Sequence, residues 1–174
     1  VRLLSLVGDD AAGAMVLSAA RDSGVNVDAV GVRRDAPTGT YVCLLDGNGE
    51  MVAAVSDMRI MDMLTSQRLL LMLEGRPHFA EFADAVVLDT NLGSDALVFL
   101  AQRFPALPLF VDLVSIAKAS RVVAALEAVD TIKGNAGEIG RILGMPVDNP
   151  EEAAWAVRAL LARGPQRVFL TMGG

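Results

Sequence analysis

From residue 83 onward the chain alternates between two kinds of segment, and this alternation limits the fold more than any other feature. Residues 84–88, 107–111, 131–132 and 167–170 are short strand-type runs; residues 94–104, 115–128, 136–143 and 150–163 carry helical patterning. Strands taking turns with helices predict a parallel sheet covered on both faces. The last helix has a marked start, Asn149-Pro150-Glu151-Glu152, in which an amide cap, a proline and two acids follow in order, and Gly164 closes it.

The first part of the chain is less regular. Residues 1–7 read as a strand, 11–23 as a helix begun by Asp9-Asp10 and closed by Gly24, and 25–33 as a second strand. Residues 38–45 and 50–56 read as two strands joined by Asp46-Gly47-Asn48-Gly49, a strong hairpin signal. Both are apolar on more than one face, so the hairpin needs cover, from a ligand it closes over or from a second subunit. Residues 57–73 carry a helical pattern, with Asp57 as its cap and a fresh cap expected at Thr65-Ser66-Gln67. The methionines there are expected to fill irregular core space, and Cys43 is expected to pack inside its strand.

Composition removes several classes of function. With 53% hydrophobic and 21% charged residues, the 174-residue chain can build one real core, or one domain with a small appendage. A net charge of -6 and the lack of a basic stripe argue against a nucleic-acid polymer as partner. No apolar run approaches the roughly 20 residues that span a bilayer. A single cysteine fits a reducing compartment, hence a cytoplasmic location. A single histidine, His78, leaves little room for a His-based zinc site or a Ser-His-Asp triad. No Gly-x-Gly-x-x-Gly follows any strand, which disfavours a dinucleotide-dependent dehydrogenase. The chain opens on a strand-like run and closes directly after another, so it is expected to be an internal portion of a longer protein.

In parallel α/β sheets, ligands bind beyond the carboxyl ends of the strands. Four segments fall there: Asp89-Thr90-Asn91, Asp112-Leu113-Val114-Ser115, Lys133-Gly134-Asn135 and Thr171-Met172-Gly173-Gly174. Asn135 can cap a helix, with Glu138 three residues on. That corner is a capped helix beside a solvated lysine, or a place where Lys133 offsets phosphate charge while Asn135 and Glu138 hold magnesium through its waters. The final segment is a plain turn or a phosphate-facing loop built on Thr171 and Gly173, without Walker spacing. Asp112 can be an N-cap to the helix after it, and Asn91 can merely shape a turn.

Asn135-Ala136-Gly137-Glu138 resembles the Asn-x-x-Glu motif of the ribokinase-like sugar kinases, also called the phosphofructokinase-B type. The early Gly8-Asp9-Asp10, the Pro37-Thr38-Gly39-Thr40 segment with its hairpin, and Thr171-Met172-Gly173 look like that family's further landmarks, in its order. The resemblance covers essentially the whole chain. It implies an α/β three-layer sandwich with a mainly parallel sheet, in which residues 38–56 are a small β lid. It also implies transfer of the ATP γ-phosphate to a primary hydroxyl of a sugar or nucleoside. Lys133, Asn135, Thr171 and Gly173 would face the nucleotide, and Asn135 and Glu138 would organise magnesium. Thr40, Asn91 and Asp112 would meet the acceptor. A monovalent cation is a further candidate cofactor, and the lid could clasp a second copy. Ser56-Asp57-Met58, Asp89-Thr90-Asn91-Leu92 and residues 110–118 look most like the members that act on the 5′-hydroxyl of pseudouridine. Alternatives are another ribokinase- or fructokinase-type enzyme, or a non-catalytic nucleotide-binding module that kept the fold. The family's aspartate base lies in a Gly-x-Gly-Asp motif after the Thr-x-Gly loop. It is expected beyond Gly174, as the family's first strand is expected before Val1, so residues 1–174 alone are expected to be inactive. The family has proline where Gly134 stands.

Overall fold

The computed structural model describes residues 1–172 and divides into two compact units, Val1–Phe79 and Ala80–Gly174.

The first unit opens on a βαβ element. Strand β1 (Arg2–Gly8) and strand β2 (Asn26–Arg33) pair in parallel, joined by helix α1 (Ala11–Asp22). Asp10 caps α1 by accepting the Gly13 N–H at 2.8 Å. Leu6, Val7, Val27 and Ala29 are buried, together with Ile60, Leu64, Leu69 and Leu73 further on. Strands β3 (Thr40–Leu45) and β4 (Met51–Asp57) form a separate antiparallel hairpin. Its turn is set by Asp46, whose carboxylate accepts the N–H groups of Asn48 and Glu50, and by Gly49 at a φ of 84°.

Nothing in the unit covers that hairpin. Val55 is 75% exposed, and Cys43 is exposed as well. The packing role expected of Cys43 is therefore not met: its strand has no layer of side chains against it. Beyond β4 the expected helix is divided. Arg59–Met63 is a 3-10 turn, and helix α2 (Ser66–Glu74) starts afresh where Thr65 accepts the Arg68 N–H. Asp57 ends β4 and does not cap a helix; its carboxylate takes the Arg59 N–H and the Arg59 guanidinium.

The second unit is the predicted alternation. Strands β5 (Val86–Asp89), β6 (Leu109–Asp112), β7 (Thr131–Asn135) and β8 (Arg167–Thr171) form a parallel sheet in that order. Between them run α3 (Ser94–Arg103), α4 (Ile116–Ala119), α5 (Ala136–Leu143) and α6 (Pro150–Leu161). Asn149 caps α6 through the Glu152 N–H at 2.9 Å. Two elements differ from expectation. Residues 115–128 are not one α-helix: after α4 the chain tightens into a 3-10 stretch, Ser120–Ala128. Val122, Ala125 and Leu126 are its buried residues. Strand β7 runs to Asn135, three residues past its apolar pair.

Candidate functional site

The length of β7 decides how the site is built. Lys133, Gly134 and Asn135 were expected in a loop after the strand; they are strand residues, Lys133 lying between β6 and β8 and Gly134 and Asn135 pairing with β8. The pleat therefore fixes where their side chains point. Lys133 and Asn135 are two apart and share a face. Across the ladder, Lys133 is the register partner of Asp112, Asp112 of Asp89, and Asn135 of Thr171. Asp112, Lys133, Asn135 and Thr171 are thus brought to one face of the sheet at its carboxyl edge. The opposite face carries Leu88, Val111 and Ile132, all buried.

Asn135 is both the end of β7 and the N-cap of α5. Its side-chain oxygen accepts the Glu138 N–H at 2.9 Å, and the Glu138 Oε2 accepts the Asn135 N–H at 2.8 Å. This reciprocal capping box satisfies two donors of the strand-to-helix corner. Glu138 is 5% exposed. Its Oε1 and the Asn135 Nδ2 have no partner among the described residues. One carboxylate oxygen and one lone pair of the Asn135 oxygen thus remain after the cap is made. That donor set fits a hydrated magnesium ion. It does not make a protein cage: no group of three or more His, Cys, Asp or Glu able to hold a metal occurs among the described residues.

Lys133 is not free in this structure. Its Nζ lies 3.0 Å from the Asp112 Oδ2, with the two side chains 51% and 43% exposed. A pair so exposed contributes at most about 1 kcal/mol, so the ammonium can turn to a stronger anion at small cost. Asp112 does not cap α4; that position is Ser115. Its carboxylate accepts the Val114 N–H at 3.1 Å. Val114 has a φ of 59°, rare for a β-branched residue.

Gly134 has a steric reason. A Cβ there would stand 2.6 Å from the Leu113 Cδ1 and 3.2 Å from the Glu138 Oε2. The place the resemblance gives to a proline is filled here by Leu113, which is fully buried.

Asn91 follows β5, with its N–H on the Asp89 carboxylate at 2.8 Å. Its side-chain oxygen takes the Lys118 Nζ at 2.6 Å, and its carbonyl takes the Arg121 guanidinium at 2.9 Å. Sequence reasoning gave Lys118 and Arg121 no role. The only signal was their place just after the polar end of β6. Thr171 ends β8 and is exposed, and Gly173 lies outside the described residues.

Thr40 belongs to the first unit. It opens β3, and its hydroxyl donates to the Thr38 carbonyl at 3.1 Å. Thr38 itself is buried and was missed as a key residue. Its hydroxyl donates to the Asp10 carboxylate at 2.6 Å and accepts the Gly8 N–H at 2.9 Å, while its own N–H donates to Asp10 at 2.8 Å. The Thr38 hydroxyl, the Thr38 N–H and the Gly13 N–H hold the Asp10 carboxyl below the usual aspartate range. Strand β3 therefore begins two residues after a point tied to the cap of α1.

The family model described as pfkB family carbohydrate kinase matches residues 1–174. Pseudouridine kinase of Escherichia coli is 33% identical over 172 residues, which is 99% of this chain and 54% of that protein. A solved carbohydrate kinase from Agrobacterium tumefaciens is 28% identical, with a TM-score of 0.77 over 98% of this chain and 53% of that one. The structure of Arabidopsis thaliana ribokinase complexed with ribose and ATP superimposes with a TM-score of 0.76 at 21% identity, over 99% of this chain and 55% of that one. The fold is ribokinase-like. The chain spans about half the length of the curated relatives it matches. It belongs to the pfkB family of carbohydrate kinases.

Proposed function

We propose, from membership of the pfkB carbohydrate kinase family, that the protein carrying this chain transfers the γ-phosphate of ATP to a primary hydroxyl of a small sugar or nucleoside. The acceptor we favour is pseudouridine, giving pseudouridine 5′-phosphate. The observation that carries the kinase reading is the shared sheet face of Asp112, Lys133, Asn135 and Thr171 with the buried Glu138 beside it. The 33% identity to pseudouridine kinase supports the choice of acceptor. A second reading, another sugar kinase of the same fold, is favoured by the 28% identical carbohydrate kinase.

Bound magnesium would supply charge neutralisation between the phosphates. The remaining work falls to side chains. Asn135 and Glu138 would hold the ion's waters, and Lys133 would leave Asp112 for a phosphate oxygen. Thr171 would offer its hydroxyl at the neighbouring strand end. Asp112, released, and Asn91 would orient the acceptor; Thr40, in the first unit, is a separate candidate for an acceptor contact. Phosphoryl transfer requires mostly position and charge. The proton of the attacking hydroxyl would go to an aspartate outside residues 1–174, so this stretch alone should not turn over. A monovalent cation and a cytoplasmic location remain part of the proposal. No helix among the described residues is long and apolar enough to cross a membrane.

The exposed hairpin is proposed to pair with a second copy or to close over the acceptor. Sedimentation of the full-length protein and of its Val55→Asp variant separates these: a dimer lost in the variant supports pairing, and a monomer in both removes it. The function is tested with the full-length protein, ATP and magnesium on pseudouridine, uridine, ribose and fructose. Turnover of pseudouridine well above the rest is expected. Turnover of ribose without pseudouridine would leave the second reading, and none on any acceptor would remove both.

A further inference from the structure

We infer that Lys118 is a positioning residue for the acceptor subsite: it fixes the Asn91 amide as a hydrogen-bond donor, so this corner selects acceptors that present an oxygen. The inference rests on the proposal that Asn91 contacts the acceptor, and deepens it.

Every polar group of Asn91 except one is spent. The backbone N–H is on Asp89 and the backbone carbonyl on Arg121. The side-chain oxygen is 2.6 Å from the Lys118 Nζ. An ammonium offers only donors, so the amide must turn its oxygen toward it; the flipped amide would set N–H against N–H. The Nδ2, with two donors, is left without a partner among the described residues. Without Lys118 the amide could present either end. With Lys118 it presents N–H alone. A carbonyl, hydroxyl or ring oxygen of the acceptor satisfies that group, whereas a donor-only N–H leaves it unpaired. The backbone anchors on Asp89 and Arg121 hold the residue itself in place, so the lysine acts on the amide and not on the loop.

The test uses the full-length protein and the acceptor it phosphorylates best. K118M, which keeps the stem and removes the donor, should raise the acceptor KM about tenfold, the value of one well-made hydrogen bond, and leave the KM for ATP unchanged. K118R should recover most of that loss. In an N91A background, K118M should add nothing. N91D keeps a partner for Lys118 but has no N–H to offer, so it should raise the acceptor KM without lowering the melting temperature. The inference is overturned by a K118M effect that persists in N91A, or by an unchanged acceptor KM in K118M, N91A or N91D. A further readout needs no turnover. In ¹⁵N spectra the Asn91 side-chain amide pair should be displaced from the free-amide position in the native protein and return to it in K118M. An amide pair that does not move on K118M overturns the inference whether or not the kinase reading holds.

Discussion

Glu138 can be tested so that its structural and chemical roles come apart. The carboxylate accepts the Asn135 N–H at 2.8 Å with one oxygen and leaves the other without a protein partner. Glu138→Ala removes the cap from a part-buried N–H, which costs about 1 kcal/mol. It also removes a methylene from a residue only 5% exposed, about 0.8 kcal/mol more. The sum, about 2 kcal/mol, lowers the melting temperature by roughly 4–8 °C for a chain of this size. Glu138→Gln keeps an oxygen for the Asn135 N–H and the shape of the side chain. It gives up only the favourable charge at the N-terminus of α5, about 0.5 kcal/mol. The two variants should therefore melt differently, yet behave alike in catalysis, because both lack the anion proposed to hold the ion's waters. The expected loss is about 10–100-fold in magnesium-dependent turnover, the usual effect of removing a group that orients a metal shell. Calorimetry and a coupled ATP assay across magnesium concentrations, the latter on the full-length protein, read the two quantities. Glu138→Gln with native turnover would reduce the carboxylate to a cap. Glu138→Gln melting as low as Glu138→Ala would show that the cap itself depends on charge.

Three further outcomes are expected. Thr38→Val strands the buried Gly8 N–H and takes a donor from Asp10, so the urea midpoint should fall by the equivalent of about 1–3 kcal/mol, with Thr38→Ser close to native; an unmoved midpoint would show that the start of β3 is held otherwise. Asp57, hydrogen-bonded by the Arg59 guanidinium and N–H, has its carboxyl lowered from 3.8 to about 2. Because the folded value is depressed, the pair's contribution is complete above about 3.8 and is lost as pH falls through about 2; a carboxyl ¹³C titration with a midpoint near 3.8 would contradict the contact. Gly164, at a φ of 132°, has the Glu127 Cα 2.5 Å from where a Cβ would stand. Gly164→Ala should therefore cost at least ~2 kcal/mol by chemical denaturation, and a neutral result would refute that packing.

Much of the second unit was legible because local signals and tertiary structure agree there. The order Asn149-Pro150-Glu151-Glu152 reads as a helix start and is one, and Asn135 with Glu138 forms the capping box its spacing promised. What could not be read depends on partners distant in sequence. Thr131-Ile132 is a strand by composition; Lys133-Gly134-Asn135 is not, and becomes one because β8 supplies a ladder as far as Asn135, with β6 on the other side as far as Lys133. Propensity carries no record of that. The 3-10 stretch after α4 was hidden for a related reason. An alanine-rich segment favours the α-helix, and no residue between Ser120 and Ala128 signals the tighter winding. Lys118 was invisible because its meaning lies 27 residues away, in the orientation of one amide. Cys43 was misread because an apolar strand was assumed to be covered.

Gly134 and Val114 have one explanation. The chain leaves β6 through Leu113, whose N–H donates to the Lys133 carbonyl at 3.0 Å. The Leu113 carbonyl accepts the Ser115 N–H at 2.6 Å and the Thr90 hydroxyl. Within this three-residue turn Val114 takes a positive φ, at a cost of about 1–2 kcal/mol for a side chain of its type. In return Leu113 is turned wholly inward, against β7, and a Cβ at 134 would require its buried side chain to shift. Glycine at 134 is thus the complement of leucine at 113, and the two positions replace the rigidity a proline would give. The strained turn holds the ends of β5, β6 and β7 to one another through Thr90, Leu113 and Lys133. Asp112 and Lys133, the residues on either side of that knot, are placed by it, so the strain sits where the proposed chemistry needs a fixed corner.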